Sequence, residues 1–312
     1  MRTRKTAGPA LAASLLLLVS SFLIDSPSLA AGQARAIKDD LGNPWRVGPP
    51  PLRIVSLAPN VTEILFALGL GERIVGVTRY CDYPAEASRI EKVGGLVDPG
   101  IERISALKPD LVLAFRGNPV RLLKKMRNLG LPVFSLEPGL TLESLIGTIE
   151  TIGLVTGREE AARSLAGALE SRIGAIEASL EGVAEKPKVF LSLQGGALWT
   201  CGRESFLDAL ILRAGGVNIA GGIGKKWVLL GREEILHQDP DVVVIMAKSE
   251  PDFARAAEWF RSEPRLKHLK AVSTGRVGFL DENKASRFGP RLVDTLQDLV
   301  RLLHPSLPGG ER

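Results

Sequence analysis

The sequence predicts an α/β fold: two similar lobes with mostly parallel sheets, joined by a single long helix and leaving a cleft between them. Three observations carry this expectation. Short apolar runs alternate with stretches of helical periodicity, one helical stripe continues without a break over residues 158–181, and a segment of the first half is echoed in the second. Strands alternating with helices imply parallel sheets covered on both faces.

The chain opens with Arg2, Arg4 and Lys5, followed by an apolar run over 9–24 and then Ser28-Leu29-Ala30-Ala31. A basic start, a short apolar stretch and small residues at the cleavage point predict a secretory signal peptide over residues 1–30 and a periplasmic destination. The run of 16 residues is short of the roughly 20 that a spanning helix needs. No cysteine follows it, so no lipid-modified N-terminus is expected. Removing residues 1–30 lowers the formal charge from +5 to +3 and leaves 282 of the 312 residues. A mildly basic chain without a Lys/Arg run argues against nucleic acid as a partner. Its length suits two moderate lobes.

Residues 31–51 contain Asn43-Pro44 and Pro49-Pro50-Pro51, and are expected to be a semi-rigid leader rather than part of a core. Residues 54–57 read as a buried strand and 60–63 as a helix start. Asn60 is expected to cap that helix, with Glu63 reaching back to it. Ile64, Leu65 and Leu68 follow at helical spacing before Gly69 and Gly71. Further strands are expected at 74–77, 111–115 and 133–136. In the connecting helix, Leu165, Leu169, Ile173, Ile176 and Leu180 form one apolar stripe. Its 24 residues would span about 36 Å, with Lys186-Pro187 expected to end it. A strand at 189–193 opens the second region. The resulting division is an N-terminal lobe over 52–156, the connecting helix within 157–185, a C-terminal lobe over 186–306 and a tail over 307–312.

The internal echo sets Glu102-Arg-Ile-Ser-Ala-Leu-Lys-Pro109-Asp110-Leu-Val-Leu over Glu233-Glu-Ile-Leu-His-Gln-Asp-Pro240-Asp241-Val-Val-Val. Each reads as a helix opened by Glu, a Pro-Asp turn seven residues later, and a buried strand. Proline stops the helix and aspartate favours the turn.

Catalytic signatures are weak. Gly221-Gly-Ile-Gly-Lys225-Lys226 fails the spacing of a phosphate loop and lacks its Ser/Thr, and no G-x-G-x-x-G, G-x-S-x-G or H-E-x-x-H occurs. His237, His268 and His304 fit no metal-ligand spacing and are expected at the surface or at helix ends. No catalytic residues, metal or resident cofactor are expected. An enzyme or sensor on the same two-lobed fold remains the alternative class.

Candidate binding residues come from the rare aromatics. The chain has four Trp and two Tyr. Trp199 stands near Gly195-Gly196 and Trp227 after the stretch from Gly221 to Gly224. Such loops present a tryptophan to a ligand better than they bury one. Phe115 ends an apolar strand, and Tyr80 precedes Asp82-Tyr83-Pro84. Arg116 and Arg287 are candidates for phosphate or amide oxygens. Cys81 and Cys201 would form one disulfide by the usual rule for exported proteins. On the two-lobe reading they lie on opposite sides of the cleft, so two free thiols are expected.

Arg53-Ile-Val-Ser-Leu-Ala-Pro59-Asn60-Val-Thr62-Glu63, the segment from Glu102 to Asp110 and the single connecting helix together resemble the iron-siderophore/vitamin B12 family of periplasmic solute-binding proteins. The resemblance covers residues 37–304. Segments 114–118, 199–205 and 287–291 resemble the vitamin B12 branch of that family. The resemblance implies a cleft that binds cobalamin or a related corrinoid as transported ligand, with a ferric siderophore or haem as the alternative. It implies that Tyr80, Phe115, Trp199 and Trp227 clamp the ligand and that Arg287 is a polar contact. Leu96 and Asn283 depart from the branch, which has tryptophan and aspartate there. It also implies that Glu102 and Glu233 dock a monomeric carrier onto the membrane subunits of an ABC importer.

Overall fold

The computed structural model describes residues 35–137, 139–193 and 198–307. The predicted signal peptide lies outside them. The leader differs from expectation. Strands β1 (Ala36–Lys38) and β2 (Pro44–Arg46) form an antiparallel hairpin that packs onto the first lobe. Asp39, almost fully buried, is its anchor. Its carboxylate accepts hydrogen bonds from Asn43 N at 2.7 Å, Arg127 Nη2 at 2.6 Å and Ser135 N at 3.2 Å. Trp45 meets Phe134 edge to face at 5.5 Å. A proline-marked boundary hid the hairpin because the partners that tie Asp39 to the lobe, Arg127 and Ser135, lie 88 and 96 residues away, outside any local pattern.

The first sheet consists of β3 (Ile54–Ser56), β4 (Ile74–Val77), β5 (Leu111–Phe115) and β6 (Val133–Leu136). All pairings are parallel and the order is β4-β3-β5-β6. Burial on both faces accounts for the continuous apolar runs. The helix after β3, Pro59–Ala67, is not capped as expected. Ala58 takes the cap position without a side-chain bond, and Pro59 opens the first turn. Proline suits that place because its missing N–H has no helical partner there. Asn60 and Glu63 are thereby displaced into the helix and are free for other partners.

The second sheet contains β7 (Lys188–Leu193), β8 (Trp199–Cys201), β9 (Val217–Asn218), β10 (Trp227–Leu229), β11 (Val242–Ala247) and β12 (Val277–Asp281). β7, β11 and β12 run parallel, with β12 at one edge, while β8 and β10 form an antiparallel ribbon at the other. β9 pairs with the start of β7, and β8 meets its end.

The connecting helix runs Glu159–Ser179 and buries Ala162, Ala166, Leu169, Ile173 and Ile176. Its 21 residues extend about 32 Å. It stops at Leu180, and Gly182 turns the chain with φ +79°, before Lys186-Pro187 is reached. Its first turns lie against helix Leu142–Thr156, at a crossing so close that a Cβ on Gly153 would sit 2.3 Å from Ala162 Cβ. One apolar core continues through this helix into both lobes.

The echoed segments are structurally equivalent. Helices Ile101–Ala106 and Arg232–Gln238 each end in a residue of positive φ, Lys108 at 46° and Asp239 at 42°. The following aspartates perform one task twice. Asp110 accepts hydrogen bonds from Leu52 N and Arg53 N ahead of β3, and Asp241 accepts one from Lys188 N at the start of β7.

Candidate functional site

In an open parallel sheet, ligand sites form beyond the carboxyl ends of the strands where the order reverses. That point in the first sheet lies between β3 and β5. Ala58, Pro59 and Asn60 follow β3, Phe115 ends β5, and Arg116 and Gly117 come just after it; all line a cleft of about 700 Å³. The facing wall comes from the equivalent edge of the second sheet. Leu193 ends β7, Met246 lies near the end of β11 and Lys248 just after it, and Glu282 and Asn283 follow β12. The volume lies within the roughly 300–1,000 Å³ of small-molecule sites.

Of the five candidate ligand residues, Tyr80, Phe115, Trp227 and Arg287 line this cleft. Tyr80 and Phe115 come from the first lobe, Trp227 and Arg287 from the second. Trp199 is not among the described lining residues. It lies on β8 opposite Leu229 of β10, 42% exposed, as is Trp227 two residues before that partner. Leu96 and Asn283, the two positions that depart from the family branch, also line the cleft.

Phe115 is held by Asn118, which is almost fully buried. Its Oδ1 accepts from Phe115 N at 2.8 Å, while its Nδ2 donates to Leu96 O at 2.7 Å and Leu57 O at 3.1 Å. One amide thus ties the end of β5 to the Leu96 loop and to the end of β3. Gly117, at φ +101°, gives the turn that this closure requires.

Beneath the cleft the lobes are joined by an ionic hub that the sequence reading missed. The Glu63 side chain is 2% exposed. Its Oε1 accepts from Arg291 Nη2 at 2.6 Å and Arg287 Nη1 at 3.1 Å, and its Oε2 accepts from Arg291 Nε at 2.9 Å. Arg287 also meets Asp82 at 2.6 Å and reaches Tyr80 O at 3.4 Å. The hydrogen bond from Arg287 holds the Asp82 carboxyl below its usual range, against a smaller opposing effect of burial. Arg291 stacks 3.8 Å from the Tyr83 ring centre, and Asn60 Nδ2 donates to Phe288 O at 3.1 Å. Arg287 is therefore bound up with the first lobe while facing the cavity. The only local signal for the hub was an acid inside an otherwise apolar helix, and it was absorbed by the capping interpretation.

Glu102 and Glu233 occupy the first turns of equivalent helices. Each helix leads back into the start of a strand, so its N-terminus lies toward the strand ends that edge the cleft. Glu102 is exposed. Glu233 is exposed too but paired with Arg265. Backbone hydrogen bonding, then Arg265, lowers its pKa.

Cys81 and Cys201 are both buried and free. Burial, reinforced by Asp208, pushes the Cys201 thiol up to about 12. Such a group stays protonated and unreactive.

Comparison with known proteins places this architecture. A vitamin B12-binding protein of Pectobacterium carotovorum is 31% identical over 262 residues, covering 83% of this chain and 91% of its own. The crystal structure of a periplasmic vitamin B12 binding protein of Vibrio cholerae superimposes with a TM-score of 0.73 at 28% identity, covering 82% of this chain and 98% of that one. A periplasmic heme-binding protein of Roseiflexus matches with the same TM-score, identity and coverage. Residues 54–284 match the family model described as periplasmic binding protein, and this chain belongs to that family.

Proposed function

We propose that the chain is an exported, monomeric solute-binding protein that captures cobalamin or a related corrinoid and hands it, chemically unchanged, to an ABC importer. One observation carries the proposal: a cleft of about 700 Å³ receives aromatic side chains from both lobes, Tyr80 and Phe115 on one side and Trp227 on the other. Flat rings facing a wide cleft suit a large planar macrocycle, since aromatic faces supply contact area at little entropic cost. The names of the relatives from Pectobacterium and Vibrio point the same way.

The work of such a carrier is done by binding and presentation. The ligand displaces water from the aromatic walls, and the Glu63 hub and connecting helix keep the lobes in register around it. Glu102 and Glu233, one per lobe, would meet two like basic sites on two like membrane subunits. Haem or a ferric siderophore is the second reading. It is favoured by Leu96, which leaves the aromatic wall thinner than in the vitamin B12 branch, and by the basic side chains of the cleft. Calorimetry with cobalamin, haem and a ferric siderophore tests the proposal. Tight one-to-one binding of cobalamin supports it, and silence with corrinoids beside tight haem binding reverses the ranking.

A further inference from the structure

The charged lining of the cleft is unbalanced. Among its described residues, Arg79, Arg116, Lys226, Lys248 and Arg287 face only two acids, Asp82 and Glu282. Three of the cations are already engaged. Arg79 pairs with Asp98, Arg287 with Glu63 and Asp82, and Arg116 more loosely with Glu137 at 3.5 Å. Lys248 lies near enough to Asp252 to affect its charge. The Lys226 ammonium makes no hydrogen bond or ion pair with any described residue, and it sits 5.5 Å from the ring centre of the adjacent Trp227.

Arg116 immediately follows β5 in the first lobe, and Lys226 immediately precedes β10 in the second. These two cations sense one another. Burial lowers the Lys226 pKa, and the charge of Arg116 lowers it further. A neutral ligand closing this cleft would shield both cations from water and strengthen their repulsion, because the interaction grows as the local dielectric falls. An anionic group between them would turn that repulsion into two attractions, one from each lobe.

Building on the proposed role of the cleft, we infer that an acidic group of the ligand, a phosphate or a carboxylate, is held between Arg116 of the first lobe and Lys226 of the second. Trp227 then carries the flat part of the ligand while its neighbour reads the charge. The ligand class narrows to macrocycles that bear an acid on their periphery. A fork of Arg116 and a point charge of Lys226 suit either acid.

The test is calorimetry with two pairs of compounds that differ in the acid. Cobalamin is compared with cobinamide, which keeps the corrin and lacks the phosphate-linked nucleotide. Haem is compared with its dimethyl ester, which lacks the two carboxylates. The expected result is at least tenfold tighter binding of the acid-bearing member of whichever pair binds. That preference should fall to within about twofold in Lys226→Gln and shrink in Arg116→Gln, with both variants keeping the native circular dichroism and melting temperature. A preference that the two variants diminish identifies a phosphate in the first pair and a carboxylate in the second. Equal affinity within a pair that binds, or a preference untouched in both variants, overturns the inference while leaving the carrier function standing. Silence with all four compounds overturns the inference and the macrocycle assignment together.

Discussion

Replacing Glu63 by Gln tests whether the hub beneath the cleft holds the lobes together. The carboxylate is 2% exposed and receives three hydrogen bonds from two arginines. Removing one partner of a buried ion pair costs about 3–5 kcal/mol, because the remaining charge stays desolvated. Asp82 still neutralises Arg287 in the variant, so the lower end of that range, about 3 kcal/mol, is expected. With a urea slope near 3 kcal/mol/M, the unfolding midpoint falls by about 1 M. Asp98→Asn supplies the contrast. It breaks the Arg79–Asp98 pair, whose side chains are 50% and 57% exposed, and the expected loss is about 0–1 kcal/mol. Equal midpoints for Glu63→Gln and the native chain, or equal losses in the two variants, would refute the claim that desolvation gives the hub its weight.

Four further outcomes follow from the same geometry. Trp227→Ala should weaken binding of the proposed macrocycle by about 1–3 kcal/mol, and Trp199→Ala by less, since of the two only Trp227 lines the described cleft; calorimetry giving the reverse order moves the clamp from β10 to β8. The Asp82 pKa is depressed in the folded protein, so its contribution to stability is present above the ordinary aspartate value and lost as pH falls through the folded one; acid unfolding should therefore be less steep in Asp82→Asn, and an unchanged profile contradicts this. Gly153→Ala should destabilise by about 1–3 kcal/mol in a melting experiment through overpacking against Ala162, whereas Gly167→Ala, with open space around it, should be neutral or slightly stabilising. Glu102→Lys combined with Glu233→Lys should abolish uptake through the importer while leaving ligand affinity intact, and normal uptake by the double variant removes both residues from the docking surface.

The fold was legible where its determinants are local. Apolar runs located β3, β4, β5, β6 and β7 to within a residue or so, because strands buried on both faces need continuous apolar sequence. The stripe from Leu165 to Leu180 located the connecting helix. The Pro-Asp echo located two equivalent turns, since those residues shape a turn by their own chemistry. Determinants that act across the chain were not legible. Glu63 meets Arg291 at a separation of 228 residues, and Asp39 meets Ser135 at 96. No periodicity carries such pairings. Local rules even misdirected the reading at Asn60 and Glu63, where a spacing that fits a capping box starts one residue inside a helix begun by Pro59. At the cleft, rarity in the composition picked out Tyr80 and Trp227, but Lys226 and Asn118 matter only through what surrounds them in space.

The two aspartate braces also bear on the order in which the chain can assemble. Asp110 secures the approach to β3 from 57 and 58 residues downstream, and Asp241 secures the start of β7 from 53. Closing a loop of that length costs about 3.5 kcal/mol beyond the fixed part of the entropy, so neither opening strand holds its place alone. A chain made from its N-terminus offers β3 no brace until Asp110 has been added, and the same wait recurs between Lys188 and Asp241. Each lobe is thus committed in one late step rather than strand by strand.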